Sequence, residues 1–286
     1  MASSLWSTLS RPPIETVDGN AHSYILVDAA QIEKFSRVFS NMGGVASGHV
    51  ALFGNTLAPE RYDATPHLFE VQGDKHWAQF ARKLSQSEAG AGAISYLISP
   101  IDLSELAVRL KRRLDASLPD NVDCVNRFFD GRITPHLHAC LSDGQRAGFF
   151  SVAEQWLVIG ADFQWQPLTC HFAADDPFSE PLVFSVQQEA YLIDHCYPYA
   201  LIEHFEQTDA DLLDTVPRDK RYAYFLEATQ VAAEFGINGA GDVTLFSTLC
   251  MTRGAKFHEE APWPEKLAAV GRGEMTLRRV LKSMHD

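Results

Sequence analysis

The sequence predicts an α/β (α+β) protein: a mixed β-sheet lobe flanked by helices, followed by an all-helical lobe. Three observations point there. Up to about residue 180, short apolar runs of strand length alternate imperfectly with segments at helical spacing, which is the pattern of a sheet with helices on its faces. The composition then shifts near Asp175-Asp176-Pro177, and beyond Pro181 helical spacing dominates. A chain of 286 residues, 46% apolar and 21% charged, has the ordinary composition of a globular protein and is long enough for a sizeable core. The expected organisation is a flexible arm over 1–20, a mixed lobe over 21–180 and a helical lobe over 181–286.

Each element has a local reason. Pro12-Pro13 and Asp18-Gly19 in a polar context make the arm. Tyr24-Ile25-Leu26-Val27 is a continuous apolar run, as in a strand buried on both faces. Ile32, Phe35 and Phe39 are spaced for one face of a helix over Gln31–Phe39, which Gly43-Gly44 breaks. Val50–Phe53 and His67–Val71 are strand candidates. Trp77, Phe80, Ala81 and Leu84 define a helix, and Ile94–Ile98 a strand stopped at Ser99-Pro100. Leu103, Leu106, Ala107, Leu110 and Leu114 form the clearest helical stripe of the first half, over Ile101–Leu114. Arg109, Lys111, Arg112 and Arg113 flank or oppose it and are expected to form a charged outer face.

An apolar run (Val122, Cys124, Val125, Phe128, Phe129) predicts a strand over 122–130 ending at the turn dipeptide Asp130-Gly131. Thr134-Pro135 then resembles an N-cap and first helical position, opening a helix to Leu141. Arg127, Asp130 and Arg132 therefore sit at a strand-to-helix turn, a frequent place for function. The plain alternative is a salt bridge that fixes the turn, with Asp130 as acceptor for Arg127. Trp156–Ile159 and Phe163–Trp165 predict a hairpin turning at Gly160. In the second lobe, Val186–Phe205 is helical and kinked or divided at Pro198. Asp219–Phe235 stops at Gly236, Asp242 caps a helix ending at Gly254, and two short helices follow Trp263-Pro264 and span Met275–Met284.

The formal net charge is −13, and it is unevenly distributed. Between Arg146 and Arg218 there is no Lys or Arg, while twelve Asp or Glu occur. Such a surface repels nucleic acid and anionic lipid and could attract a basic polypeptide segment; the plain alternative is that it only confers solubility. Five well-separated cysteines (Cys124, Cys140, Cys170, Cys196, Cys250) without a CxxC pair fit reduced thiols. Neither a signal peptide nor an apolar run long enough for a membrane helix is recognised.

Reactive motifs are sparse. His136 and Cys140 would share a helix face, but two ligands do not make a zinc site. Gly90-Ala91-Gly92 and Gly239-Ala240-Gly241 lack the third glycine of a dinucleotide fingerprint. Cys170-His171 beside Asp175 imitates a thiol–imidazole–carboxylate set, but near-adjacent residues rarely assemble that geometry. Asp175-Asp176 are expected to face water. Neither catalytic residues nor a cofactor is expected.

Two local patterns resemble the type VI secretion effector-adaptor family, whose defining domain is DUF4123. The first is Val125-Asn126-Arg127-Phe128-Phe129-Asp130-Gly131-Arg132, then Gln145, Phe149-Phe150 and Trp156, with Tyr24–Ala29 similar to the family's start. The second is Glu234-Phe235-Gly236-Ile237, Asp242, Phe246, Gly254 and Phe257. Gly131 stands where the family usually has Pro, which makes the turn more permissive. The resemblance implies a cytoplasmic adaptor or chaperone in a Gram-negative bacterium that binds an effector toxin and helps load it onto the VgrG spike, without turnover. The partner-binding candidates are Arg127, Phe129, Asp130 and Arg132 of the turn, with Glu203, Glu206, Asp209 and Asp211 of the acidic interval. Two rival readings are an enzyme holding an anion at Arg127/Asp130/Arg132 and an immunity protein that covers a basic toxin.

Overall fold

The computed structural model describes residues 11–13, 21–39, 46–53, 63–87 and 90–284. Most of the expected arm, including Asp18-Gly19, and the Gly43-Gly44 break lie outside these residues. The chain divides into two compact units, Met1–Ile193 and Asp194–Asp286. About half of it is helix, around a six-stranded sheet, as expected of the fold class.

In the first unit the strands are β1 (His22–Asp28), β2 (Gly48–Ala51), β3 (Pro66–Val71), β4 (Ile94–Ser99), β5 (Asp115–Ser117), β6 (Asp123–Val125), β7 (Gln155–Ile159), β8 (Trp165–Leu168) and β9 (Leu182–Val183). The helices are α1 (Phe35–Val38), α2 (Gly73–Gln86), α3 (Leu103–Arg112), α4 (Thr134–Cys140) and α5 (Asp143–Phe149), with α6 (Val186–Thr208) starting here. The main sheet has the order β2-β3-β1-β4-β7-β8 and every pairing in it is antiparallel. Ile25 lies opposite Phe69 on one side and Tyr96 on the other, and Tyr96 opposite Leu157. Parallel pairing is confined to β5 and β9 in a small sheet of order β6-β5-β9.

Both faces of the main sheet are covered, which explains its unbroken apolar runs. Ile25, Val27, Phe69, Tyr96 and Leu157 pack with Phe35 and with Trp77, Phe80 and Leu84 of α2. Tyr24, Leu26, Leu68, Leu97 and Trp156 pack with Leu106 and Leu110 of α3, Leu137 of α4 and Phe149 of α5. An unbroken run marks coverage on both sides and says nothing of strand direction.

Several expectations are corrected. The helix over Gln31–Phe39 shrinks to one turn, because Lys34 adopts a left-handed conformation (φ 54°). Ile32, Phe35 and Phe39 are buried all the same. The strand over 122–130 shortens to Asp123–Val125, and its end residues are exposed. Beyond it the chain turns, so Phe128 and Phe129 are both buried instead of alternating. Thr134 is not a cap: its hydroxyl donates back to the carbonyls of Phe128 (2.7 Å) and Asp130 (2.8 Å).

In the second unit, α6 passes Pro198 without being divided. It is followed by α7 (Ala210–Leu213), α8 (Arg221–Glu234), α9 (Ala240–Arg253), α10 (Trp263–Gly271) and α11 (Leu277–Ser283). Phe205, Phe225, Phe246, Trp263, Leu267 and Leu277 make its core. Gly236 (φ 76°) and Gly254 (φ 104°) end α8 and α9 in conformations that side chains resist. Asp242 lies in the first turn of α9, where Gly239 is the cap, and accepts instead from the Leu277 amide (3.1 Å), tying α11 to α9. Among the described residues no helix is long and apolar enough to cross a membrane.

Candidate functional site

The arginine turn is an internal latch. Asp28, at the end of β1, is fully buried and accepts from Arg127 Nη2 (2.8 Å), from Gln31 Nε2 (2.9 Å) and from the Ala30 amide (3.2 Å). Asp130 is also buried. It accepts from Arg132 Nε (3.0 Å) and Nη2 (2.8 Å), and more weakly from Arg127 (3.3 Å). The Arg132 amide closes on the same carboxylate at 3.0 Å. Two buried carboxylates thus balance two guanidiniums, which removes the excess positive charge an anion site would need. The better partner of Arg127 is Asp28, 99 positions away, not the neighbouring Asp130.

Gly131 is held just as closely. Its amide donates to Gly92 O (2.8 Å), and a Cβ there would stand 3.2 Å from the carbonyls of Gly92 and Ile94. The expectation of a permissive turn is therefore corrected: ion pairs and close backbone packing fix it. Phe129 is buried against the core, and Asp130 accepts its hydrogen bonds from within the chain. Arg127 and Arg132 keep one exposed edge each.

The basic end of α3 turns inward, against the expectation of a charged outer face. Arg113 is fully buried instead of outward-facing. Its guanidinium donates to Phe149 O (2.7 Å), Arg109 O (2.7 Å), Gly148 O (3.0 Å), Ser151 Oγ (3.2 Å) and both oxygens of Asp176 (2.7 and 3.0 Å). Arg112 adds pairs to Asp176 (2.9 Å) and Glu180 (3.1 Å), and Arg109 donates to the carbonyls of Ala173 and Ala174. Burial opposes ionisation of Asp176, but the hydrogen bonds and charge of Arg113 outweigh it and hold the carboxyl below its ordinary value. The basic end of α3 is thus a clamp that holds residues 173–180 and so presents β9 to β5. An odd accumulation of arginines at the end of an apolar stripe, with a lone acidic pair far downstream, is the only sequence sign of it.

The small sheet offers a different surface. Ala116 of β5 and Leu182 of β9 point into the core, while Val125 (52% exposed) and Val183 (57% exposed) lie on the outward face with Asp115, Ser117 and Asp123. Beside it, Cys140, Ser142, Gln145, Phe184, Ser185 and Gln188 line an open depression. Gln145 bridges it, donating to Val183 O (2.8 Å) and accepting from Gln188 (2.7 Å).

His138 Nε2 lies 2.9 Å from Thr169 O, and Cys140 donates to Leu137 O (3.3 Å). Burial raises the Cys140 and Cys170 thiols to about 11, the reverse of an activated nucleophile. Among the described residues no group of three or more His, Cys, Asp or Glu is placed to hold a metal ion. Glu203, Glu206, Asp209 and Asp211 lie in the second unit and are exposed. Glu206 lies 3.6 Å from Arg221, which also pairs with Asp214 (2.7 Å), and Asp209 accepts from the Leu212 amide at the start of α7.

No curated protein and no solved structure matches the chain. Residues 23–148, from β1 into α5, match the family model of DUF4123, a domain of unknown function.

Proposed function

We propose that the protein is an adaptor that binds a type VI secretion effector in the bacterial cytoplasm and helps load it onto the VgrG spike. The observation that carries this reading is the DUF4123 match over residues 23–148. It is supported by exposed valines among aspartates on the small sheet, which suit a polypeptide partner, and by the 71 residues between Arg146 and Arg218 that include no Lys or Arg. The arginine turn belongs to the fold in this reading, because its charges are satisfied within the chain.

The test is deletion of the gene in the source bacterium, with effector and spike followed in culture supernatant. The adaptor reading predicts that the effector stays inside while the spike is still secreted. Unchanged effector secretion overturns it, and self-intoxication of the deletion strain indicates an immunity protein instead.

A further inference from the structure

The small sheet ends in a strand with an open edge. In β5 and β6 the pairs that exchange backbone hydrogen bonds are fixed by Asn126 N to Leu114 O (2.7 Å) and Leu118 N to Val122 O (2.9 Å). Residues 122, 124 and 126 therefore bond inward to β5, and Asp123 and Val125 direct their amides and carbonyls away from it. Among the described residues no other strand lies beyond β6 in its sheet, and both residues are exposed. Exposed edges are commonly blunted by short length, charge, proline or a bulge, and β6 is short and charged, so only a segment that answers its charge is expected to pair with it. β6 presents Asp123 and Val125 outward, without proline, lysine or a bulge.

The edge itself carries only negative charge, in a stretch bounded by Arg113, which is buried, and Arg127, which pairs with Asp28. Residues 114–126 contain Asp115, Asp120 and Asp123 and no Lys, Arg or His, and residues 177–189 contain Glu180 and Glu189 and no cation. Glu180 is engaged by Arg112, but neither Asp115 nor Asp123 makes an ion pair among the described residues. Val125 and Val183 add apolar contact on the same face.

We propose that β6 receives an extended segment of a partner protein as a fourth strand, with an apolar side chain opposite Val125 and a Lys or Arg two residues later, opposite Asp123. Antiparallel addition satisfies the four outward backbone groups of Asp123 and Val125. The apolar residue then packs on Val125, and the basic one meets Asp123, whose neighbour on β5 is Ser117. The inference rests on the adaptor reading for the identity of the partner, and on the edge itself for its chemistry.

The probe is a fluorescein-labelled peptide, Thr-Val-Thr-Lys-Thr-Val-Thr-Lys-Thr, titrated with the full chain and followed by anisotropy; a second peptide carries Glu in place of Lys. The Lys peptide is expected to bind in a salt-sensitive way and the Glu peptide not to. Asp123→Lys should weaken the Lys peptide about tenfold and improve the Glu peptide. Val125→Pro removes an outward amide without touching the β5 ladder, and should weaken both peptides. Circular dichroism checks that the variants fold; one that does not is replaced by Val125→Thr, which should weaken binding less. Absence of binding up to about 1 mM, or equal binding of the two peptides, overturns the proposal. Co-purification with effector and spike separates the two readings. If the variants capture both as well as the parent chain does, the edge is refuted and the adaptor stands. If the parent chain captures neither but the peptide responses hold, the edge stands and the adaptor is refuted.

Discussion

Asp176→Ala is the most revealing single change in the first unit. It leaves the Arg113 guanidinium fully buried, with carbonyl partners but no counter-charge. Breaking a buried pair from one side typically costs about 3–5 kcal/mol, because the remaining charge stays desolvated. Asp176 also accepts from the Phe178 amide (3.3 Å), so the start of β9 loosens with it. For a unit of this size a urea dependence of about 2–3 kcal/mol per molar converts that loss into a midpoint lowered by about 1–2 M. Trp77, Trp156 and Trp165 lie in this unit, so tryptophan fluorescence reports its unfolding. Arg113→Met in the Asp176→Ala background removes the stranded charge and should recover part of the loss. A shift in Asp176→Ala below about 0.3 M, or no recovery in the double variant, would refute the claim that this pair clamps residues 173–180.

Other outcomes follow from the same geometry. Gly131→Ala forces a Cβ against two carbonyls and should cost about 1–3 kcal/mol; Gly131→Pro also removes the bond to Gly92 O and should cost more, both read from urea midpoints. In the second unit, a Cβ on Gly271 would stand 1.6 Å from Phe235 O, so Gly271→Ala should destabilise that unit by about 3 kcal/mol or more without moving the first, as seen by amide exchange. Burial holds His49 and His138 below the ordinary 6.5, so the unfolded chain takes up protons first as pH falls through that value. Thermal stability should therefore decline between about pH 7 and pH 5, and His49→Gln should flatten the slope. Asp176 starts charged where these histidines start neutral, and has the same sign of effect: its carboxyl is held low, so its contribution is present above the ordinary 3.8 and is lost in stronger acid.

Much of the fold was legible because burial writes long signals. The run Tyr24–Val27, the stripe Trp77–Leu84 and the stripe Leu103–Leu114 each mark an element the structure contains. Short elements left little trace: β5 and β9 are three and two residues long and owe their pairing to contacts far along the chain. Helix α5 carries a readable sign, the capping box of Ser142 and Gln145, but is too short to show an apolar stripe. The latch was half visible. Asp130 and Arg132 are neighbours, whereas nothing local links Arg127 to Asp28. Arg113 and Asp176 misled for a physical reason: arginine and aspartate are surface residues by default, and only the fold brings them 2.7 Å apart in a site closed to water.

The central claim is that this chain joins two other polypeptides. The most direct measurement mixes purified chain, effector and VgrG and follows their mass by light scattering after size exclusion. The account predicts one complex containing effector and spike that forms only when the chain is present at loading. Effector and spike that associate equally well without it would contradict the account.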